Sequence, residues 1–436
     1  MKKNDKVRHL YSMQTKLIYG KSKSKKWDYN HHVIPPISSS STFRLDTAKR
    51  GAQGFAEFAH HHDGTTIESA APIYVYDRLG EPNKELLEES LAAAEAGEIA
   101  VTFSTGMAAI SGALGSLTGI GDEIIAHRML YGCTYSLLTN WYPRYQIQTR
   151  FIDLKDPLVL RSHINERTRV VYFETPVNPT LELIDISMIA HVVREANKHR
   201  PPARKIFVVI DNTFASPVCQ RPLEHGADFV VASLTKAICG FGTDMGGVVV
   251  GPRWSYDILL LYRKDFGGAL AAKSAWPILV YGLPSLAARM KQQTATALEI
   301  AKFLELHPRV EHVSYPGLPS FEQLPLARRQ MRDYDGNFAP GSLLYFVLKG
   351  KTPKARHDNG EKVIDHLAKH AYTITLAVSL GQIRTLVEHP SSMTHSAIPL
   401  EEQTSHGMDP GGIRLSIGLE KAGDIIHDLS EALEIL

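Results

Sequence analysis

From about residue 84 onward, short runs of consecutive apolar residues alternate with longer stretches whose apolar positions recur at helical spacing. The runs at 99–103, 123–126, 147–152, 169–173, 206–210, 228–232 and 247–250 predict strands. Runs of this kind are buried on both faces, which indicates a largely parallel sheet layered between helices. Helices are expected over 84–96, rich in Leu, Glu and Ala, over 106–117 and over 186–198. A long amphipathic helix follows Pro284, with Leu286, Met290, Ala297, Ala301 and Leu304 on one stripe. It opens a smaller α+β unit completed by a strand over 342–348, a helix after Gly360 and a last helix from Ala422.

Ahead of this pattern, residues 33–72 show no sustained period of 2 or 3.6 and predict an extended arm with loops. The chain therefore divides into an arm (1–83), a sheet domain (84–282) and a C-terminal domain (283–436). The run His60-His61-His62 has no acidic or Cys partner at ligand spacing, so a solvated loop is expected there and no metal site.

Composition adds little except through charge and cysteine. At 44% hydrophobic and 22% charged, the 436 residues make an ordinary globular protein and exclude a disordered or collagen-like chain. Three cysteines without CxxC spacing suggest neither a disulfide framework nor a zinc site. No apolar run is long enough to span a membrane and the start lacks a signal-peptide core, so a cytoplasmic location is expected. Residues 1–30 carry nine Lys or Arg against two Asp, a basic tail that reads either as a solvated terminus or as a contact for nucleic acid.

Three places carry candidate chemistry. The strand at 206–210 runs into Asp211-Asn-Thr213, a carboxylate where open α/β sheets bind ligands, though an Asp at a strand end is equally a cap. The strand at 228–232 runs into Ser233-Leu-Thr235-Lys236. A lysine in such apolar surroundings either snorkels to solvent or, desolvated, keeps a nucleophilic amine suited to Schiff-base chemistry. Finally, Phe103-Ser-Thr-Gly106-Met107 is a strand-turn-helix junction able to hold a phosphate. An Asp, a Lys, hydroxyls and a phosphate cradle are the parts a pyridoxal 5′-phosphate (PLP) site needs.

From Tyr76 to the C-terminus the chain resembles the Cys/Met metabolism (trans-sulfuration) family of PLP-dependent enzymes. Tyr76-Asp-Arg78-Leu-Gly-Glu-Pro82 resembles the family's YSRxxNP, Ser104-Thr-Gly106-Met107 its SSGM, and Tyr131-Gly-Cys133-Thr its YGGT. Glu174-Thr-Pro-Val-Asn178-Pro, Asp211-Asn-Thr213, Ser233-Leu-Thr235-Lys236, Ser379-Leu-Gly381, His389-Pro-Ser-Ser-Met-Thr-His395 and Ile413-Arg414-Leu-Ser match in turn. The resemblance implies an aspartate aminotransferase-like α/β fold (PLP fold type I) with a smaller α+β C-terminal domain and an N-terminal arm.

By that resemblance Lys236 would hold the cofactor covalently, Asp211 would pair with the pyridine nitrogen and Tyr131 would stack on the ring. Ser233, Thr235 and the Gly106 and Met107 backbone would bind phosphate, beside Thr213. The loop 76–83 would present Tyr76 and Arg78 to the phosphate of a neighbouring subunit, making a homodimer the active unit, usually doubled to a homotetramer. Arg414, with Asn178 and the Ser379 backbone, would grip the carboxylate of an amino-acid substrate.

Glu81 and Asn83 depart from the family's NPT and could disturb the turn presenting Arg78; Arg384 reverses a charge near the site. Relatives that cleave cystathionine resemble one another in placing Glu where this chain has Val75 and Val378, expected here to be a buried apolar pair suited to a thioether methyl. Cys133, with Lys264-Asp265, resembles the branch of the family that eliminates methanethiol from methionine. The expected activity is therefore a carbon–sulfur lyase acting on methionine. Alternatives are a cystathionine β- or γ-lyase, an O-acetylhomoserine sulfhydrylase, or a regulatory or nucleic-acid-binding role for the basic tail. Cys133 and Cys239 both fall near the site and are expected to make it sensitive to thiol reagents.

Overall fold

A computed structural model describes residues 11–19, 32–58, 73–393 and 407–436. The larger sheet consists of β1 (Ile99–Phe103), β2 (Glu123–His127), β3 (Gln148–Ile152), β4 (Thr168–Glu174), β5 (Phe207–Asp211), β6 (Phe229–Ser233) and β7 (Gly247–Gly251). Each predicted run forms a strand, with ends displaced by at most one residue. The spatial order is β1-β7-β6-β5-β4-β2-β3, parallel throughout except where β7 pairs with its two neighbours. Since β7 alone runs backwards, β1 and β6 on either side of it point the same way. The C-terminal ends of β1, β4, β5 and β6 therefore open on one edge, where α/β sheets bind ligands.

The second sheet contains β8 (Val310–Ser314), β9 (Leu343–Leu348), β10 (Ile374–Leu376), β11 (Thr385–Glu388) and β12 (Gly412–Ser416), ordered β10-β11-β12-β9-β8. Only β10 and β11 pair in parallel. Helix Leu283–Leu306 joins the two halves: Leu283, Leu286 and Met290 pack into one core, Ala297, Ile300, Ala301 and Leu304 into the other. Helices Pro353–His370 and Ala422–Glu434 complete the second core. This is the mixed architecture of the aspartate aminotransferase-like fold, a mostly parallel sheet beside a smaller, mostly antiparallel one.

Three expectations need correction. Residues 33–72 are not loops throughout, because Ala48–Glu57 is a helix capped by the Thr47 hydroxyl, which accepts from Arg50 N–H at 3.1 Å. Its signal is hidden by Gly51 and Gly54, the latter needed because a Cβ there would lie 2.6 Å from the Val75 side chain. Within the basic tail, Met13–Tyr19 is helical and Leu17 is buried with Leu87 and Leu91, so this stretch is anchored; residues 1–10 and 20–30, like His60–His62, lie outside the described residues. Lastly, the helix expected after Gly360 starts at Pro353, capped by Thr352. Gly360 sits inside it because a side chain would strike the His389 ring, 2.3 Å from Nε2. Among the described residues no helix is long and apolar enough to cross a membrane.

Candidate active site

Adjacent parallel strands β4 and β5 end in Glu174 and Asp211, which are direct cross-strand partners. Asp211 Oδ1 accepts the Thr213 N–H at 2.9 Å, and the Tyr172 hydroxyl lies 3.5 Å from Oδ2. Glu174 Oε1 accepts the Tyr131 N–H at 2.7 Å. Burial pushes both carboxyls up, Glu174 to about 8, with the Asp211 charge adding to the effect on Glu174. Among the described residues no Lys or Arg forms an ion pair with either. A buried carboxylate pair without a cation of its own fits the protonated ring nitrogen of PLP.

The next strand end carries the phosphate cradle. The Thr213 hydroxyl accepts the Ser233 N–H at 2.9 Å, tying the ends of β5 and β6 together. Beyond β1, Thr105 caps helix Gly106–Leu117 by accepting the Ala108 N–H at 3.0 Å. A Cβ on Gly106 would lie 2.9 Å from Ser233 Cβ, so only glycine lets this helix start so close to β6. The first N–H groups of the helix precede its own hydrogen bonds and suit an anion. Thr235 also lines this end, its hydroxyl accepting the Gly246 N–H at 3.1 Å. The Met107 sulfur stays in contact with Thr134 Oγ1 at 3.9 Å.

Lys236 Nζ donates to Ser379 Oγ at 2.9 Å, linking the two sheets. Burial, then the nearby Arg414 charge, lower its pKa, with Glu388 opposing. Ser379 holds φ at +113°, a backbone that L side chains rarely adopt. Its carbonyl accepts from Arg414 Nη2 at 3.0 Å, while Arg414 Nη1 donates to Asn178 Oδ1 at 2.9 Å. Arg414 also pairs with Glu388 at 2.8 Å and lies 5.6 Å from the Phe214 ring centroid. Half-exposed Tyr131 lies across from this group, its hydroxyl pushed up to about 12 first by a hydrogen bond with Cys133, then by burial.

Over residues 14–434 the sequence matches the family of Cys/Met metabolism PLP-dependent enzymes. The chain belongs to this family. It is 38% identical to an L-methionine gamma-lyase of Porphyromonas gingivalis over 437 residues, covering all of both chains. A second L-methionine gamma-lyase, from Pseudomonas deceptionensis, is 38% identical over 93% of this chain and 94% of its own. A cystathionine beta-lyase of Coxiella burnetii is 36% identical over 83% of this chain and 87% of its own. The protein is thus a PLP-dependent enzyme of the carbon–sulfur lyase type, with the type I fold.

Within one chain some of the expected residues lie apart from Lys236, including Tyr76 and Arg78, which were expected at a neighbouring subunit's site. Val75, Tyr76, Arg78 and Lys264 line a separate cleft of about 610 Å³ with Phe55, Phe58 and Leu261. There Arg78 Nη1 donates to the Lys264 carbonyl at 3.0 Å and lies 5.6 Å from the Tyr76 ring centroid, and Lys264 pairs with Asp265 at 2.8 Å. Val75 and Val378 are not a buried pair: Val75 is half-buried, and Val378, beyond the edge strand β10, is 61% exposed. Among the thiols Cys133 is exposed and Cys239 is buried, so the expected reagent sensitivity narrows to Cys133. The departures Glu81 and Asn83 preserve the turn: Glu81 caps helix Pro82–Ala94 through the Asn83 and Lys84 N–H groups, and Asn83 Oδ1 accepts the Ser38 N–H at 2.7 Å. Arg384 is exposed.

Glu388, Tyr172 and Phe214 join the site without having been singled out. Glu388 meets Arg414 only through the β11–β12 register. Glu174 was readable within its motif, and its place at a strand end beside Asp211 was the missed signal.

Proposed function

We propose that the enzyme cleaves L-methionine to methanethiol, ammonia and 2-oxobutanoate, with Lys236, Tyr131 and Arg414 as its working groups. The observation that carries the substrate choice is that the buried carboxylates are all engaged. Glu388 is held by Arg414, and Asp211, with Glu174 beside it, would be taken by the ring nitrogen of PLP. None is free to receive the distal ammonium of cystathionine, whereas an uncharged thioether asks for no partner. The near-complete coverage by methionine-cleaving relatives supports the same choice.

PLP, when bound, supplies a sink for the electrons released at the substrate Cα. Asp211 would hold the ring nitrogen, Lys236 the aldehyde end, and Ser233, Thr235 and the Gly106 and Met107 N–H groups the phosphate. Arg414, steadied by Asn178 and the Ser379 carbonyl, orients the substrate carboxylate. Burial disfavours the Lys236 ammonium, which favours the amine form that would take the Cα proton. Tyr131, raised to about 12, stays protonated near neutral pH and can give its proton to the departing sulfur.

Tyr76 and Arg78 fit a role in the neighbouring subunit's site, which makes a dimer the smallest active unit and allows a tetramer. The arm, sheet domain and C-terminal domain divide near residues 83 and 282. The test is a product assay with methionine, cystathionine and O-acetylhomoserine side by side. Methanethiol with 2-oxobutanoate from methionine is expected. Pyruvate from cystathionine with no product from methionine would replace the proposal by a cystathionine β-lyase, and sulfide-dependent homocysteine synthesis by a sulfhydrylase.

A further inference from the structure

Two of the five N–H donors of Arg414 are committed before any substrate arrives, one to Asn178 Oδ1 and one to the Ser379 carbonyl, and Nη2 is also ion-paired with Glu388 at 2.8 Å. The Arg414 and Glu388 side chains are 5% and 4% exposed, so the guanidinium is already paired with a negative charge where both are buried. The groups facing Glu388 are Arg414 on β12, Lys236 beyond β6 and the Tyr131 hydroxyl. On the β10 side, where Leu376 pairs with Val387, the Ala377 N–H donates to the Val387 carbonyl. His389, next in sequence, is turned to the Pro410 carbonyl and the Ser392 hydroxyl.

A substrate carboxylate docking on Arg414 would put two carboxylates on one guanidinium, leaving an uncompensated negative charge where burial makes it costly. We propose that Glu388 resolves this by taking up one proton from solvent as the carboxylate binds, so that the occupied pocket holds one carboxylate and one neutral acid. This deepens, and rests on, the assignment of Arg414 as carboxylate anchor. Burial already holds Glu388 above the ordinary carboxylate range, with Arg414 and Lys236 opposing, and the arriving negative charge pushes in the same direction. The side chain thereby becomes a positioning residue that sets affinity without touching the reacting bond.

The test is calorimetric titration of the PLP-loaded enzyme with 4-(methylsulfanyl)butanoate, a methionine analogue without an amine and so unable to react. Buffers of different ionisation enthalpy report protons taken up per site, across about pH 6 to 9. In the wild type, uptake approaching one proton is expected over the stretch of this range that lies between the free and the ligand-bound pKa of Glu388, where Kd rises about tenfold per pH unit. Glu388→Gln should bind with no uptake, a flat pH profile and higher affinity than wild type at the alkaline end. Glu388→Asp should keep the uptake, and it secures the comparison if the Gln variant does not fold. Equal uptake in wild type and Glu388→Gln, or none in the wild type, overturns the inference. Arg414→Lys separates the two claims: if it leaves ligand binding unchanged, the anchor assignment fails, whereas lost binding alongside zero wild-type uptake sinks only the role of Glu388.

Discussion

At the scale of single residues, burial decides which charges this protein carries. His127 is wholly buried, its Nδ1 accepting the Leu154 N–H at 3.1 Å, and His389 is fixed between Pro410 and Ser392; burial pushes both down to about 4. In the unfolded chain they bind protons near pH 6.5, so between about 6.5 and 4 the unfolded state holds more protons and stability falls as pH falls. Each histidine contributes up to about 3 kcal/mol to that loss. Glu95, buried against Asn212 and raised to about 8, works in the opposite sense, losing stability as pH rises. The histidine effect is isolated by His127→Asn, which keeps an acceptor for the Leu154 N–H. Its melting temperature should decline less than the wild type's from about pH 6.5 to 4; an identical decline would contradict the assignment. At this scale local pattern marked Lys236 and Asp211 as candidates at strand ends, each with an ordinary structural alternative, whereas the role of Arg414 came from the family resemblance. It told nothing of Glu388, whose role depends on a partner 26 positions away that only strand register brings alongside.

At the scale of elements, the site exists because strand ends and one helix start converge. Gly106 is the point of closest approach, and adding a methyl there would force the helix start away from Ser233. Gly106→Ala is therefore expected to weaken PLP binding by about tenfold or more, a loss of at least ~1.4 kcal/mol. Thr105→Ala removes only the cap and should cost about 1 kcal/mol of stability. Equilibrium dialysis of PLP and thermal melting of the cofactor-free protein separate the two; unchanged PLP affinity in Gly106→Ala would refute the cradle. The apolar runs made the central strands readable, since consecutive buried residues leave no competing pattern. Short β10 and half-exposed β8 offered no such run, and helix Ala48–Glu57 carries glycines placed for packing against Val75 rather than for helix formation. In that helix tertiary contact overrode local propensity.

At the scale of the whole molecule, the described residues expected to serve the cofactor fall in two separate places: the Lys236 group between the sheets, and the cleft of Tyr76, Arg78 and Lys264. If each site is completed by a second subunit, Arg78→Ala and Lys236→Ala proteins, each inactive, should complement when dissociated and reassociated together. Random pairing makes half of the dimers mixed, each with one intact site, so about a quarter of wild-type activity should return. No recovery, with mixed dimers demonstrated by mass, would place Arg78 in its own subunit's site. The fold was readable because alternating elements of this kind admit few topologies. The subunit arrangement came from family resemblance alone.

The central claim is that Lys236, held between Ser379 and the end of β6, is the residue that carries the cofactor. It is tested most directly by reducing the PLP-loaded enzyme with borohydride, digesting it and locating the phosphopyridoxyl group by mass spectrometry. That group is expected on Lys236, with no stable adduct in Lys236→Ala. The label on another lysine, such as Lys84 or Lys264, or its retention in Lys236→Ala, would contradict it.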